Sequence, residues 1–171
     1  GVVVSKIVGD KGYMLCLACE TDFVAKNAEF SASANEILDI AISIDAQDLE
    51  SLKSASVDGR TVADKVTEKS GQTGEKVELV YYAKIQAPMC VTYIHTNHKL
   101  GTLIGFNKEI SMEVAKDVAM QAAAMAPISI SREDCDPAVI EHERAIGREQ
   151  ARLDGKPEAM LDKIAEGKVN K

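Results

Sequence analysis

Aromatic side chains are scarce in this sequence, which has no tryptophan, three phenylalanines and four tyrosines among its 171 residues. Aromatics make up 4% of the chain, whereas hydrophobic residues make up 46%. A chain of this length is long enough to bury a sizeable core. That core must therefore be aliphatic and rich in alanine, which suits helices that approach their neighbours closely.

The sequence also lacks the features of three classes of protein. Its net charge is −7 and it has no run of basic residues, which argues against nucleic acid as a direct partner. It contains no apolar stretch of the roughly 20 residues that a membrane span needs. Residues 1–6 have neither the charged lead nor the apolar region of a secretion signal. The four cysteines are therefore expected to be reduced thiols, and we expect a cytoplasmic protein without a membrane partner.

The first part of the chain predicts a β-hairpin followed by a helix. Two β-rich runs, residues 2–7 and 13–18, flank a polar turn that is bounded by glycines. Asn27 then caps a helix, and the segment 45–60 is polar and irregular before a short helix at 61–70. The apolar residues of the first helix recur at the spacing of one face: Phe30, Ala34, Ile37, Leu38 and Ala41.

The middle of the chain repeats this order. Residues 77–83 are rich in valine and tyrosine and predict a strand. Residues 89–95 and 100–106 predict a second hairpin that turns through 96–99, and Ser111 can cap the helix that follows. Because a hairpin precedes a helix twice, we expect two similar α+β halves.

The last part of the chain predicts two charged helices. Asp136 followed by proline marks the start of the first helix, and Gly155 before Lys156 and Pro157 separates it from the second. Three apolar residues of the first helix lie seven apart, which is the spacing of a coiled-coil seam: Val139, Ile146 and Leu153. The second helix places its apolar residues on one side, namely Met160, Leu161 and Ile164.

These patterns together predict an α+β fold. It should contain two small antiparallel-sheet subdomains, each packed with helices, and an antiparallel helical hairpin. We expect an N-terminal core subdomain at 1–72, a C-terminal core subdomain at 73–132, and the helical hairpin arm at 133–171.

Phe23 is the candidate functional residue that stands out from its local sequence. It lies within the segment Glu-Thr-Asp-Phe-Val-Ala-Lys-Asn at 20–27, where the first hairpin gives way to the first helix. Such junctions are surface loops, and an exposed aromatic side chain there can anchor a protein partner. Alternatively, Phe23 closes the core beneath the next helix. The residues alone leave both interpretations open.

A resemblance to a known family rests on several segments of the chain. Residues 19–27 resemble the signature of the elongation factor Ts family, and Gly74-Glu75 resembles its Ile-Gly-Glu-Asn segment. The hairpin with His95 and the residues 155–157 resemble further parts of the same family. Thr73 and Lys76 depart from the pattern, standing where the family usually has Ile and Asn. By this resemblance, an amino-terminal helical domain and a closing strand region would lie outside the chain.

The resemblance implies a function in translation without enzymatic chemistry. Members of the family bind elongation factor Tu in its GDP-bound and nucleotide-free forms and accelerate GDP release. By this analogy, Asp22 and Phe23 enter the nucleotide-binding domain of the partner, and His95 lies near its phosphate loop. The partner-binding residues implied at matching positions are Thr21, Asp22, Phe23, Val24, Gly74 and His95. No cofactor or metal is implied.

Two short motifs offer alternatives from other classes. Cys16 and Cys19 form a CxxC, and His95 and His98 form an HxxH, so a thiol- or metal-dependent enzyme is the second hypothesis. Cys16 falls in a predicted strand and Cys19 continues it, and residues three apart on a strand point to opposite faces, which favours simple packing. A third hypothesis is a structural module that forms a homodimer.

Overall fold

The computed structural model describes residues 1–169 and divides into two compact units, Gly1–Met125 and Ala126–Lys171. Its fold is α+β, as the sequence predicts. Each helix within residues 1–169 is too short or too polar to form a membrane span. The elements in chain order are β1 (Val2–Val8), β2 (Lys11–Ala18), α1 (Asp22–Ala25), α2 (Ala28–Ser43), α3 (Leu49–Ser54), β3 (Ser56–Val57), β4 (Arg60–Thr61), α4 (Val62–Thr73), β5 (Glu78–Gln86), β6 (Met89–Ile94), β7 (Gly101–Phe106), α5 (Met112–Met125), α6 (Pro137–Leu153) and α7 (Glu158–Val169).

The main core lies between the first sheet and α2. β1 and β2 form the predicted hairpin, and alternate residues of β2 point into the core because side chains of a strand alternate between faces. Asn27 caps α2 by accepting a hydrogen bond from the Glu29 amide at 2.8 Å. The helix face predicted from periodicity is buried, including Phe30 at 1% exposure.

The partner of β5 differs from the expectation. The sequence placed this strand with the second half of the chain, but β5 pairs antiparallel with β2 and completes a three-stranded sheet in the order β1-β2-β5. A hairpin leaves the outer edge of each strand unpaired, and β5 satisfies the open edge of β2. Its pairing shifts register between Cys16 and Leu17. The division at 1–72, 73–132 and 133–171 stays a prediction.

The second hairpin, β6 and β7, packs closely against the first sheet. A Cβ built on Gly12 of β2 would lie only 2.5 Å from Leu103 Cδ1, so the absence of a side chain there permits the approach. The Val3 amide donates a hydrogen bond of 2.7 Å to the His98 carbonyl in the hairpin turn. Helix α5 covers this hairpin through the fully buried Ala115 and Ala119. Alanine therefore fills the place that aromatics take in other cores.

The segment 45–60 contains structure that the sequence analysis missed. Asp48 accepts a hydrogen bond of 2.7 Å from the Ser51 amide, and the Ser51 side chain bonds back to the Asp48 amide, forming a capping box. Helix α3 follows and buries Leu52 completely. In the sequence, α3 is marked only by this capping pair and by one buried apolar residue, Leu52. A single apolar residue shows no helical periodicity.

The second unit contains the predicted antiparallel helical hairpin, but its seam is different. Val139, Ile146 and Leu153 were expected to form the contact, and that expectation is wrong because they are 37%, 47% and 77% exposed. The helices meet instead through small residues at a close approach. The buried residues are Gly147 and Ala151 of α6 with Leu161 and Ala165 of α7. The seven-residue spacing identified a row of apolar residues along α6. It did not show that a different row, containing Gly147 and Ala151, faces α7.

Leucine substitution at two glycines tests this seam. A Cβ at Gly147 would lie 3.2 Å from Ala165 Cα, whereas nothing lies within 4 Å of a Cβ at Gly167. We expect Gly147→Leu to lower the free energy of unfolding of the hairpin by about 1–3 kcal/mol through overpacking. The matched Gly167→Leu should raise it by about 0.5 kcal/mol through helix propensity. Urea unfolding followed by far-ultraviolet circular dichroism measures both, and equal effects would contradict the seam.

A charged cluster closes the end of α2 against the first sheet. The Asp45 carboxylate accepts hydrogen bonds from Lys84 at 2.8 Å, Lys11 at 3.0 Å and the Tyr13 hydroxyl at 2.8 Å. Lys84, followed by Tyr13 and Lys11, lowers the pKa of Asp45. Burial, together with the neighbouring Asp45 carboxylate, raises the pKa of Tyr13 to about 12. Asp45 therefore stabilises the fold in its ionised form.

This cluster predicts a loss of stability in acid. Because the folded pKa of Asp45 is depressed, its contribution is fully present above the unfolded pKa of about 3.9 and is lost as the pH falls through the folded value. We expect Asp45→Asn to flatten the decline in unfolding free energy between about pH 5 and pH 2. Urea titrations across that range test this, with Asp117→Asn on the exposed side of α5 as control. Parallel pH profiles for all three proteins would contradict the prediction.

Candidate functional site

The predicted contact residue Phe23 lies on a single helical turn that joins β2 to α2. Thr21 caps this turn, α1, and its side-chain oxygen accepts a hydrogen bond of 3.4 Å from the Val24 amide. Val24 packs against the main core, whereas the adjacent Phe23 is 90% exposed. The interpretation in which Phe23 closes the core beneath α2 is therefore wrong. Phe30 fills that place.

Gly74 and Glu75 approach this turn from the end of α4. Gly74 has a left-handed backbone with φ of 69° and ends α4, as a glycine at this position readily does. Glu75 then accepts hydrogen bonds from the backbone amides of Glu20 and Thr21, each at 3.0 Å, and from the Thr21 hydroxyl. These bonds, with the Thr21 hydroxyl contributing most, lower the pKa of Glu75. The carboxylate is thus ionised at neutral pH.

Asp22 is joined to the turn of the second hairpin. Lys99 Nζ lies 2.5 Å from the Asp22 carboxylate oxygen, and this contact lowers the pKa of Asp22. Both side chains are exposed, so the pair is accessible to solvent and weakly stabilising. The contact shows that the α1 turn and the hairpin turn lie at the same edge of the unit, although Asp22 and Lys99 are 77 residues apart in sequence.

His95 lies on that hairpin turn and is exposed. Its amide donates a hydrogen bond of 2.8 Å to the Leu100 carbonyl, which closes the turn. The Tyr93 hydroxyl and His95 Nδ1 share a hydrogen bond of 2.9 Å. Tyr93 therefore orients the imidazole ring and leaves its Nε2 side to solvent. We call Asp22, Phe23, His95 and Lys99 the contact edge.

Three residues in or beside the contact edge were missed as site residues by sequence reasoning. They are Glu75, Tyr93 and Lys99, which bond to Thr21, His95 and Asp22 respectively. Tyr93 lies on β6, two residues before His95, and could have been found from that spacing. No local spacing connects Glu75 or Lys99 to the α1 turn.

The CxxC and HxxH residues can be compared with the thiol- or metal-dependent hypothesis through their environments. Burial raises the pKa of the Cys16 thiol, which lowers the fraction of reactive thiolate. The Cys19 thiol donates a hydrogen bond of 3.3 Å to the Thr21 carbonyl. Within residues 1–169, no group of three or more His, Cys, Asp or Glu side chains is arranged to hold a metal ion. The metal-dependent form of the second hypothesis therefore finds no ligand cluster in this part of the chain.

Comparison with known proteins places the chain among the translation elongation factors. A family model described as Elongation factor TS matches residues 20–171. The chain is 46% identical over 165 residues to Elongation factor Ts of Amoebophilus asiaticus, an alignment that covers 95% of the chain and 60% of that relative. It is 42% identical over 175 residues to Elongation factor Ts of Christiangramia forsetii, covering 100% of the chain and 63% of the relative. The chain therefore belongs to the elongation factor Ts family.

The match also extends to a more distant relative. Identity to Elongation factor Ts of Kineococcus radiotolerans is 39% over 175 residues, covering 99% of the chain and 63% of the relative. The chain thus spans about 60% of the length of the curated relatives it matches.

Removing the Phe23 ring should leave the fold intact. Because the side chain is 90% exposed, we expect Phe23→Ala to change the free energy of unfolding by no more than about 0.5 kcal/mol. Phe30→Ala removes the same ring from a position that is 1% exposed and should cost about 3–5 kcal/mol. Urea unfolding of the two variants provides the comparison, and a large loss in Phe23→Ala would show that its ring belongs to the core.

Proposed function

We propose that this chain is the core of a guanine-nucleotide exchange factor, not an enzyme, that binds elongation factor Tu and promotes its release of GDP. The observation that carries the proposal is the exposure of Phe23 on a turn that is anchored on both sides. Membership of the elongation factor Ts family supports the choice of partner. The factor would act in the cytoplasm on the GDP-bound form and remain bound to the nucleotide-free form.

The proposed mechanism is displacement of the structure that holds GDP and its metal ion. A guanine nucleotide is held by a phosphate loop and a magnesium ion, so moving the helices that support either one weakens binding. Burying one phenylalanine ring in the partner supplies about 1.5–3 kcal/mol, or roughly tenfold to a hundredfold in an equilibrium constant. A larger effect requires the remainder of the interface. By linkage, GDP must weaken binding of the factor by the same ratio.

Each residue of the site has a distinct role in this proposal. Phe23 is the wedge, and Asp22 exchanges its ion pair with Lys99 for contacts in the partner. Val24 packs the turn against the main core and Thr21 caps it. Gly74 ends α4, which allows Glu75 to reach the turn. His95 contacts the partner from the adjacent hairpin, with its ring oriented by Tyr93.

The exchange activity should depend on Phe23 far more than on other exposed aromatics. We expect Phe23→Ala to lose most of the acceleration of GDP release, on the order of tenfold or more, because the wedge is gone. His95→Ala should weaken binding more mildly, since its contact is peripheral to the wedge. Release of a fluorescent GDP from elongation factor Tu measures the first effect, and titration calorimetry measures the second.

Tyr81→Ala is the matched control for this experiment. Tyr81 is 74% exposed on the first sheet and lies outside the contact edge, so its removal should leave GDP release unchanged. Release at the unsubstituted rate in Phe23→Ala would refute the wedge. A complex with elongation factor Tu that excess GDP fails to dissociate would refute nucleotide exchange itself.

A further inference from the structure

We infer that Glu75 is a positioning residue, which fixes the α1 turn in the orientation that presents Phe23 to a partner. Its effect on GDP release rests on the proposed function, whereas its effect on the motion of Phe23 does not. Glu75 makes no contact with the Phe23 ring in this role. It acts through the backbone and the capping threonine that precede the ring.

The α1 turn needs an external support because it is too short to be stable alone. It contains four residues, whereas isolated helices shorter than about 12 residues are marginal in water. Both oxygens of Glu75 supply that support. Oε2 accepts from two consecutive amides, Glu20 and Thr21, and Oε1 accepts from the Thr21 hydroxyl, whose oxygen in turn caps α1. One carboxylate therefore orders both the backbone and the cap.

Glu75 itself lies on a rigid segment. The Gly74 amide donates a hydrogen bond of 2.9 Å to the Ser70 carbonyl, and the Val77 amide donates one of 2.9 Å to the Ser70 hydroxyl. Val77 is buried in the main core at 4% exposure. Because the chain is held on both sides of Glu75, the carboxylate is a fixed point from which the α1 turn can be positioned.

Two further contacts restrain the turn beside and after Phe23. Val24 packs against the main core, and Asp22 pairs with Lys99 on the second hairpin. Glu75 holds residues 20 and 21, so the residues that precede Phe23 and the one that follows it are all restrained. A side chain that is ordered before binding loses less conformational entropy on association. Loss of Glu75 should therefore weaken the affinity for the partner more than it lowers the rate of GDP release in the bound complex.

The first test measures the motion of the turn without any partner. The chain has no tryptophan, so Phe23→Trp introduces a single fluorescent reporter at the position of interest. Time-resolved anisotropy should show a larger amplitude of fast local motion when Glu75→Ala is added to this reporter protein. Glu78→Ala is the matched control, because Glu78 is three residues away and pairs with Lys76 at 3.0 Å on the exposed surface. It should leave the motion unchanged.

The second test measures GDP release in the protein with Phe23 intact. We expect Glu75→Ala to raise the concentration needed for half-maximal acceleration by about tenfold, with little change in the maximal rate. Phe23→Ala should lower the maximal rate instead. Glu75→Gln keeps one carbonyl oxygen for the two amides and should recover part of the loss. Glu78→Ala should behave like the unsubstituted protein.

The outcomes separate the inference from the proposed function. Equal motion and equal half-maximal concentration in Glu75→Ala and Glu78→Ala would overturn the positioning role. If the unsubstituted protein does not accelerate GDP release, the proposed function fails, and the anisotropy measurement alone decides the role of Glu75. Should Glu75→Ala not fold, as judged by circular dichroism, Glu75→Gln decides, and an unchanged reporter signal in that variant would overturn the inference.

Discussion

The packing of α2 on the β1–β2 hairpin is the interaction on which the rest of the structure depends. Phe30 and Leu38 on the helix lie against Leu15 and Leu17 on the strand, and all four are almost fully buried. The α1 turn connects these two elements directly, because it starts after β2 and ends where α2 begins. The main core therefore sets the position of the α1 turn. The polar contacts that Glu75 and Lys99 make with the turn set its orientation.

Much of the secondary structure followed from signals contained in short stretches of chain, although the capping box before α3 was missed. Asn27 and Asp136 cap the helices that they were predicted to cap, and the hairpin turn at 96–99 is present. The pairing of β5 with β2 was not predicted, because alternation identifies a strand without identifying the neighbour with which it pairs. The seam of the helical hairpin was wrong because Gly147 carries no hydrophobic side chain, and hydrophobic spacing cannot detect a contact made by a glycine.

The candidate site shows the same division between local and distant information. The motif around Phe23 and the exposed hairpin residue His95 were identified from the sequence, although the ring's exposure could not be decided there. The groups that organise them come from elsewhere in the chain. Glu75 bonds to Thr21 across 54 positions and Lys99 pairs with Asp22 across 77, and no pattern of residue types encodes such distances. Glu75 reaches Thr21 because β5 pairs with β2, and Lys99 reaches Asp22 because the second hairpin packs against the first sheet.

The place of β5 in the first sheet has a consequence for biosynthesis. This strand ends at Gln86, and its registered partners on β2 begin at Lys11, so the sheet cannot close until most of the first unit has left the ribosome. Until then, the outer edge of β2 is open to other chains. Sheets built from such distant segments fold slowly and expose themselves to aggregation meanwhile. Synthesis of β5 therefore ends the period in which the outer edge of β2 can pair with another chain.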